Sequence, residues 1–130
     1  MACILLIDDD PSLRAILAKT LGYAGHTVYQ ASEGKEGVDI FRATPVDLVI
    51  TDLIMPGQEG IETMMQLRRE SPDLRIIAMS GGIDNSSLYL QLAGKLGAQR
   101  TLAKPFTSAE FLQTIDEVLA RPGPPDAKPA

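Results

Sequence analysis

Acidic side chains, one hydroxyl and one lysine follow the apolar segments of this chain. Asp8 and Asp9 come directly after the apolar run CILLI, and Asp52 ends the run LVIT. Ser80 and Lys104 each follow a further apolar segment. If these segments are parallel strands of one sheet, their carboxyl ends meet at one edge, which is where open α/β sheets bind ligands. We therefore expect the five side chains to lie close together.

Clustered carboxylates need a cation or a proton, because like charges about 4 Å apart repel by roughly 4 kcal/mol at an effective dielectric constant of 20. Several oxygen ligands with room for water describe a Mg²⁺ or Mn²⁺ site. Lys104 would neutralise an anion such as a phosphoryl group, and the Ser80 hydroxyl would donate to the same anion. The predicted chemistry is phosphoryl transfer with Asp52 as the nucleophile.

Most of these residues also have an ordinary structural explanation. Asp10 is best explained as the N-cap of a helix, since proline follows it. Lys104 is compatible with a surface lysine, and Ser80 is compatible with a residue of a turn. Asp8 and Asp9 are harder to explain as solvated loop residues, because they leave a buried strand and point toward the strand of Asp52.

The apolar spacing predicts five strands that alternate with five helices. The strands are expected at Cys3–Ile7, Thr27–Ala31, Asp47–Thr51, Leu74–Met79 and Arg100–Ala103, and the helices at Pro11–Ala24, 32–43, Gly60–Glu70, 84–96 and Thr107–Ala120. This alternation predicts a doubly wound, three-layer α/β fold with a five-stranded parallel sheet.

Local signals predict how the helices begin and which side chains they bury. Asp10 and Ser32 are expected to cap the first two helices, and Thr107 and Glu110 form a capping box at the last. The expected inner residues are Leu13, Ile16, Leu17, Leu21 and Ala24 in the first helix, and Ile61, Met64, Met65 and Leu67 in the third.

Composition predicts a soluble, cytoplasmic chain with one folded domain. The 130 residues carry a net charge of −5, which disfavours direct binding to nucleic acid or to anionic membranes. No apolar run is long enough to span a membrane, and the N-terminus lacks the basic region of a signal peptide. Cys3, the single cysteine, is expected to be a buried, inert thiol. Residues 1–121 would form the domain, and 122–130 a Pro-rich, disordered tail or linker.

The motifs, in this order, resemble a response-regulator receiver domain, the phospho-acceptor half of two-component signalling. The resemblance runs from about Ala2 to Arg121, and it rests on the acid pair, Asp52 followed by Met-Pro-Gly, Ser80-Gly81 and Lys104-Pro-Phe. It implies a CheY-like, flavodoxin-like (βα)5 fold. It also implies that Asp52 takes phosphate from a histidine kinase or a histidine phosphotransfer protein, and that a downstream protein receives the signal. Such a domain is not a conventional enzyme, although it catalyses its own phosphorylation and dephosphorylation.

The resemblance implies a role for each residue of the predicted site. Asp9, Asp52 and the backbone carbonyl of Ile54 would ligate Mg²⁺, or Mn²⁺ in its place, and Asp8 would assist through a water molecule. Lys104 would pair with Asp52 and then with the phosphoryl oxygens.

Further roles follow from the same resemblance, with two departures from the family. Ser80 would bond a phosphoryl oxygen and move inward on activation, and the peptide bond before Pro105 would be cis. The family usually has an aromatic residue at the position of Thr101, so the resemblance does not extend to the usual aromatic switch. The residues two after the nucleophile and two after the serine are Ile54 and Gly82, and neither side chain can polarise a water molecule. We do not expect them to assist autodephosphorylation.

The fourth helix and the last strand and helix bear on how the signal reaches a downstream partner. The fourth helix has apolar residues around much of its circumference, which is typical either of a well-buried helix or of a partner or homodimer surface. The last strand and helix lack the paired acids and basic residues of dimerising DNA-binding regulators. This favours a stand-alone regulator or phosphorelay carrier over the N-terminal receiver of a longer DNA-binding protein.

Three other classes share some of these features. A haloacid-dehalogenase-type phosphatase would place its nucleophile at Asp8, within an Asp-x-Asp motif. A flavodoxin-like FMN binder would need hydrogen-bond donors, instead of acids, after the first strand. A receiver-like binding module that is not phosphorylated would have lost some of the acids or the lysine. Phosphoryl labelling separates the classes, because Asp52→Asn abolishes it in a receiver and Asp8→Asn abolishes it in the phosphatase.

Overall fold

The computed structural model describes residues 2–53, 59–81 and 86–120, within which five strands alternate with five helices. The strands are β1 (Cys3–Ile7), β2 (Thr27–Ala31), β3 (Leu48–Asp52), β4 (Arg75–Gly81) and β5 (Arg100–Lys104). The helices are α1 (Pro11–Tyr23), α2 (Gly34–Ala43), α3 (Glu59–Glu70), α4 (Ser86–Lys95) and α5 (Ser108–Leu119). The predicted alternation is confirmed.

All five strands are parallel, in the order β2-β1-β3-β4-β5. This confirms the doubly wound α/β fold. Three strands run further than the sequence predicted. β3 includes Asp52, which pairs with Met79, β4 includes Ser80 and Gly81, and β5 includes Lys104. β5 supplies partners for Ser80 and Gly81, so the parallel ladder continues to the end of β4.

Side-chain alternation along the strands divides the core between the two faces of the sheet. The first face carries Leu5, Ile7, Val49, Ile76 and Ala78, which pack with buried residues that include Val38, Met64, Leu67 and Ala93. The second face carries Ile4, Leu6, Leu48, Ile50, Ile77, Met79 and Leu102, which pack with Leu17, Leu21, Phe111, Ile115 and Val118. Both faces of β1, β3 and β4 are therefore buried, as the continuous apolar runs predict.

The predicted caps are confirmed at two helices and wrong at a third. Asp10 Oδ1 accepts from the N–H groups of Ser12 and Leu13 at 3.0 and 3.2 Å, and Thr107 and Glu110 form the capping box of α5. At α2 the N-cap position is held by Glu33, and Ser32 does not cap the helix. Ser32 instead donates to Glu36 from its backbone N–H and its hydroxyl.

Three predicted core residues are exposed. Ile16 is 60% exposed and Met65 is 42% exposed. Each lies one residue from a buried neighbour, Leu17 or Met64, and one residue is about 100° of helix rotation. α1 packs on the sheet through the narrow line of Leu13, Leu17 and Leu21, so Ile16 lies outside that line. Ala24 is also exposed, because it is the C-cap of α1.

The expectations from composition have mixed outcomes. Cys3 is half-buried, not buried, and burial together with the negative charge of Asp47 raises the pKa of its thiol. Within the described residues, no helix is both long enough and apolar enough to cross a membrane. The tail expected at 122–130 lies outside the described residues.

Helix α3 approaches the backbone at the end of β3 through a glycine. A Cβ atom added at Gly60 would overlap the backbone oxygen of Asp52 and the backbone of Leu53. Because the obstructing atoms belong to the backbone, they cannot rotate away as a side chain would. The first turn of α3 therefore packs directly against the segment that carries Asp52.

We predict that Gly60→Ala lowers the free energy of unfolding by about 1–3 kcal/mol, since the added methyl group must separate α3 from β3. Urea denaturation measures this. The control is Gly22→Ala in α1, where an added Cβ meets nothing within 4 Å and alanine should be neutral or stabilising by up to about 1 kcal/mol. Equal stability of the two variants would contradict the prediction.

Candidate functional site

Strand alternation brings three charged side chains to one corner of the sheet. Asp8, Asp52 and Lys104 each lie two positions after a buried apolar residue of the second sheet face, namely Leu6, Ile50 and Leu102. The charged cluster is thus the continuation of one face of the core. It begins where the strands reach the carboxyl edge.

One ammonium group bridges two carboxylates in this cluster. Lys104 Nζ donates to Asp52 Oδ2 at 2.9 Å and to Asp8 Oδ2 at 3.2 Å. Lys104 belongs to β5, so its side chain must cross β4 to reach β3 and β1. The residue of β4 that pairs with Lys104 is Gly81, which has no side chain to obstruct the crossing.

The cluster is buried, and its charges are unequal. Asp8 is 0% exposed and Asp52 is 4% exposed. Burial alone would lower the pKa of Lys104, but the hydrogen bond and charge of Asp52, followed by those of Asp8, raise it above the ordinary value of lysine. The lysine is therefore a fixed positive charge at neutral pH. Two carboxylates share this one positive charge, so the cluster keeps a net negative charge. That charge and the carboxylate oxygens favour the binding of a cation.

Asp8 is held by a bond at each of its polar groups. Its N–H donates to the carbonyl of Ala31 at 3.1 Å, and its Oδ1 accepts from the N–H of Asp10 at 2.9 Å. Its Oδ2 accepts from Lys104, and its carbonyl oxygen accepts from Arg14 Nη1 at 2.7 Å. Asp8 is therefore a fixed part of the site. The sequence pattern did not single out Arg14, because its acceptor is a backbone atom.

Three aspartates provide the cluster of oxygen ligands that a magnesium site requires. One carboxylate oxygen from each of Asp8, Asp9 and Asp52 lies within 4.8 Å of the others. An all-oxygen set of this kind suits Mg²⁺, which is bound by one or two carboxylates and retains several water molecules. Asp9 is exposed, so it is open to a hydrated ion. Ile54, the predicted backbone ligand, lies outside the described residues.

Ser80 contributes a buried hydroxyl without a hydrogen-bond partner in the described part of the chain. Its side chain is 0% exposed. It follows Met79, the β4 partner of Asp52, so it lies at the same edge of the sheet. Strand alternation places it on the sheet face of Ala78, opposite to that of Lys104. A buried donor of this kind is unfavourable until it finds an acceptor.

Thr101 and Pro105 flank Lys104 on β5 and beyond it. Thr101 pairs with Ala78, lies on the sheet face opposite to Lys104, and is exposed. The peptide bond between Lys104 and Pro105 is cis. The ring of Phe106 stacks on Phe111 with centroids 5.5 Å apart, which ties the segment after the lysine to the core of α5.

Comparison with known proteins gives consistent matches. A family model described as the response regulator receiver domain matches residues 4–116. The response regulator MprA of Mycolicibacterium vanbaalenii is 34% identical over 124 residues, which cover 95% of this chain and 52% of that protein. The DNA-binding transcriptional regulator NtrC of Azospirillum brasilense is 33% identical over 129 residues, covering 99% and 26%. The chain thus spans about half of one relative and about a quarter of the other.

Solved structures agree on the fold. A response regulator receiver domain protein from Clostridium thermocellum superposes with a TM-score of 0.84 at 31% identity, covering 93% of this chain and 96% of that one. The chemotaxis response regulator CheY4 of Vibrio cholerae gives a TM-score of 0.81 at 30% identity, covering 91% and 98%. Both are nearly full-length matches, so the likeness covers the whole sheet and its helices.

We predict that Lys104→Met, measured in EDTA, lowers the free energy of unfolding by about 2–4 kcal/mol, because it leaves two buried carboxylates without their cation. The pKa of Lys104 is higher in the folded protein than in the unfolded chain, where it is about 10.4. The charge of Lys104 therefore stabilises the folded protein fully below about pH 10.4, and this contribution is lost as the pH rises through the higher folded-state pKa. The deficit should therefore be constant from about pH 7 to 9 and shrink at higher pH.

Denaturant unfolding at each pH measures this deficit. The matched control is Lys19→Met, which removes an exposed lysine of α1 and should change stability by less than about 0.5 kcal/mol. If the two variants lose equal stability, Lys104 does not neutralise buried acids.

Proposed function

The chain belongs to the response regulator receiver family, and from this premise we propose that Asp52 is its phospho-acceptor in a Mg²⁺-dependent reaction. Receiver domains of this family interact with histidine kinases and with downstream targets. We propose that the donor is a histidine kinase or a histidine phosphotransfer protein, and that the output is a protein–protein interaction. The contact of 2.9 Å between Lys104 Nζ and Asp52 Oδ2 is the observation that carries the proposal.

The position of Asp52 in the sheet supports its choice over the other acids. β3 is the central strand, with β1 on one side and β4 and β5 on the other. Asp52 therefore lies between the acids that follow β1 and the serine and lysine near the ends of β4 and β5. Asp8 is less suited to be a nucleophile, because it is fully buried and both of its carboxylate oxygens accept hydrogen bonds. This argues against the phosphatase alternative.

The proposed reaction is an in-line displacement on phosphorus. A carboxylate oxygen of Asp52 forms a bond to phosphorus as the bond between phosphorus and the imidazole nitrogen of the donor breaks. The leaving imidazole keeps the electron pair and takes up a proton. Lys104 begins on the carboxylate and transfers its hydrogen bond to a phosphoryl oxygen, so its charge follows the anion. Bound Mg²⁺ supplies further positive charge to the phosphoryl oxygens and the acids.

Acids of β1 would hold the ion in this proposal. Asp9 is the exposed member of the group, and we propose it as a direct ligand together with Asp52. Asp8 would act through a water molecule, since Lys104 and the N–H of Asp10 already bond its two oxygens. Ile54 completes the proposed ligand set through its backbone carbonyl. The oxygen atoms of the three aspartates, within 4.8 Å of one another, support this arrangement.

Ser80 gives the proposed reaction a use for its buried hydroxyl. A buried donor without a partner costs about 1–3 kcal/mol, and that cost is removed when an acceptor becomes available. A phosphoryl group on Asp52 would be such an acceptor at the same edge of the sheet. The proposal therefore includes an inward movement of Ser80 that is favoured only after phosphorylation. Thr101 is small and exposed, so we do not propose an aromatic switch on β5.

A second candidate is that this receiver controls a DNA-binding output in a longer polypeptide. The relative NtrC, described as a DNA-binding transcriptional regulator, supports it, because the match spans about a quarter of that protein. The mass of the native polypeptide in its host cells separates this candidate from a stand-alone regulator.

We predict one phosphoryl adduct per chain when the protein is incubated with a small phosphodonor and Mg²⁺, measured by intact mass. Asp52→Asn should abolish the adduct, because it removes the nucleophilic oxygen, and EDTA should suppress it. The control is Asp39→Asn on the exposed face of α2, which should label like the parent. An adduct that persists in Asp52→Asn and disappears in Asp8→Asn would favour the phosphatase type instead.

We predict that Ser80→Ala leaves stability unchanged or raises it by up to about 1 kcal/mol, because the lost hydroxyl has no partner among the described residues. The rate of phosphorylation should nevertheless fall by about tenfold, the effect of losing roughly 1.4 kcal/mol of transition-state stabilisation. Urea unfolding and single-turnover labelling measure the two effects. A destabilised variant with a parental labelling rate would make the hydroxyl a structural group.

A further inference from the structure

The carboxyl end of β1 is held by an arginine that the proposed reaction does not use. Arg14, in α1, is half-buried, and its Nη1 donates to the backbone carbonyl of Asp8 at 2.7 Å. This carbonyl lies just past the end of the β1–β2 ladder, whose last bond joins the N–H of Asp8 to Ala31. The N–H that would continue the parallel ladder to this carbonyl is that of Glu33, which lies beyond the end of β2 at the N-cap of α2. The guanidinium thus supplies a donor where the ladder has ended.

The bonded oxygen belongs to the peptide that joins Asp8 to Asp9. We propose that Arg14 is a positioning residue for the cation site, because fixing this peptide fixes the direction in which Asp9 leaves the strand. This inference rests on the proposed Mg²⁺ site. Asp8 has three other anchors, whereas Asp9 is exposed and depends on the peptide before it for its place beside Asp52.

The charge of Arg14 acts in the opposite sense to its hydrogen bond. A guanidinium near a cation site repels the cation, so removing the charge would strengthen metal binding, whereas removing the hydrogen bond would weaken it. Arg14 bonds Asp8 at the carbonyl beyond the β2 side of the ladder, while Asp52 lies on β3 at the other side of β1. Because the guanidinium is half-exposed, salt screens part of its repulsion of a bound cation.

A nearby carboxylate offsets the guanidinium further. The pKa of Glu36 is lowered, mainly by hydrogen bonds from the backbone and hydroxyl of Ser32, and to a smaller degree by the charge of Arg14. Glu36 therefore stays ionised close to the arginine and balances part of its charge. We expect the positioning effect to exceed the charge effect, which fixes the sign of the experimental result.

Titration with Mn²⁺, followed by electron paramagnetic resonance of the free ion, tests the inference without any phosphodonor. The Kd for Mn²⁺ should rise about tenfold in Arg14→Met, the lower end of the effect of removing groups that support metal ligands. Arg14→Lys, which keeps a donor and the charge, should raise Kd by no more than about threefold. The matched control is Arg42→Met, an exposed arginine of α2 that pairs with Glu70, and it should bind like the parent.

Each outcome decides the matter. Tighter binding by Arg14→Met would show that the charge dominates and would overturn the inference, and so would a Kd equal to that of the parent. If Arg14→Met does not fold, as judged by circular dichroism, a Kd for Arg14→Lys at or below the parental value overturns the inference, and a Kd above the parental value supports it. Asp52→Asn tests the proposed site separately. If Asp52→Asn binds Mn²⁺ like the parent, the proposed metal site is contradicted, and so is the proposed role of Arg14.

Discussion

The site is built around one ammonium group that bridges two buried carboxylates at the carboxyl edge of the sheet. Asp8 and Asp52 continue a face that is apolar along the rest of β1 and β3, so their charges lie beside a dry core and require compensation. Lys104 supplies it from β5, two strands away from β3. The contact needs a long side chain on β5, and Gly81 of β4, in register with Lys104, places no side chain in its path. The parallel sheet is the frame that makes the contact geometrically available.

The same burial explains why the site contains both fixed, fully hydrogen-bonded groups and polar groups that lack a partner in the described part of the chain. Asp8 is saturated by hydrogen bonds and is fixed, whereas Ser80 is buried without a partner among the described residues and Asp9 is exposed. Saturated groups stabilise the resting arrangement, and unsatisfied groups favour a change when an anion or a cation arrives. The two kinds of group lie on neighbouring strand ends. Stability and reactivity are thus assigned to different residues of one small region.

Much of the architecture was predictable because it arises from local patterns. Continuous apolar runs predicted the buried strands, and Asp10 and Thr107 predicted helix starts that their backbone contacts confirm. The errors have a common cause, since they concern positions decided by neighbours in space. Ile16 fits a helical spacing and yet lies outside the line that contacts the sheet. Ser32 has the chemistry of a cap, but Glu36 takes both of its donors.

By itself the sequence determined the kinds of residue present, their order and the strand ends on which they lie. These depend on periodicity and capping, which act over a few residues. Only the tertiary structure decided which atoms meet. Lys104 contacts Asp8, 96 residues earlier in the chain, because β5 and β1 belong to one parallel sheet and their carboxyl ends lie at the same edge. Arg14 contacts the backbone carbonyl of Asp8 because β2 ends at Ala31, before the residue that would supply a donor there. Both contacts depend on register between strands, which no local pattern encodes.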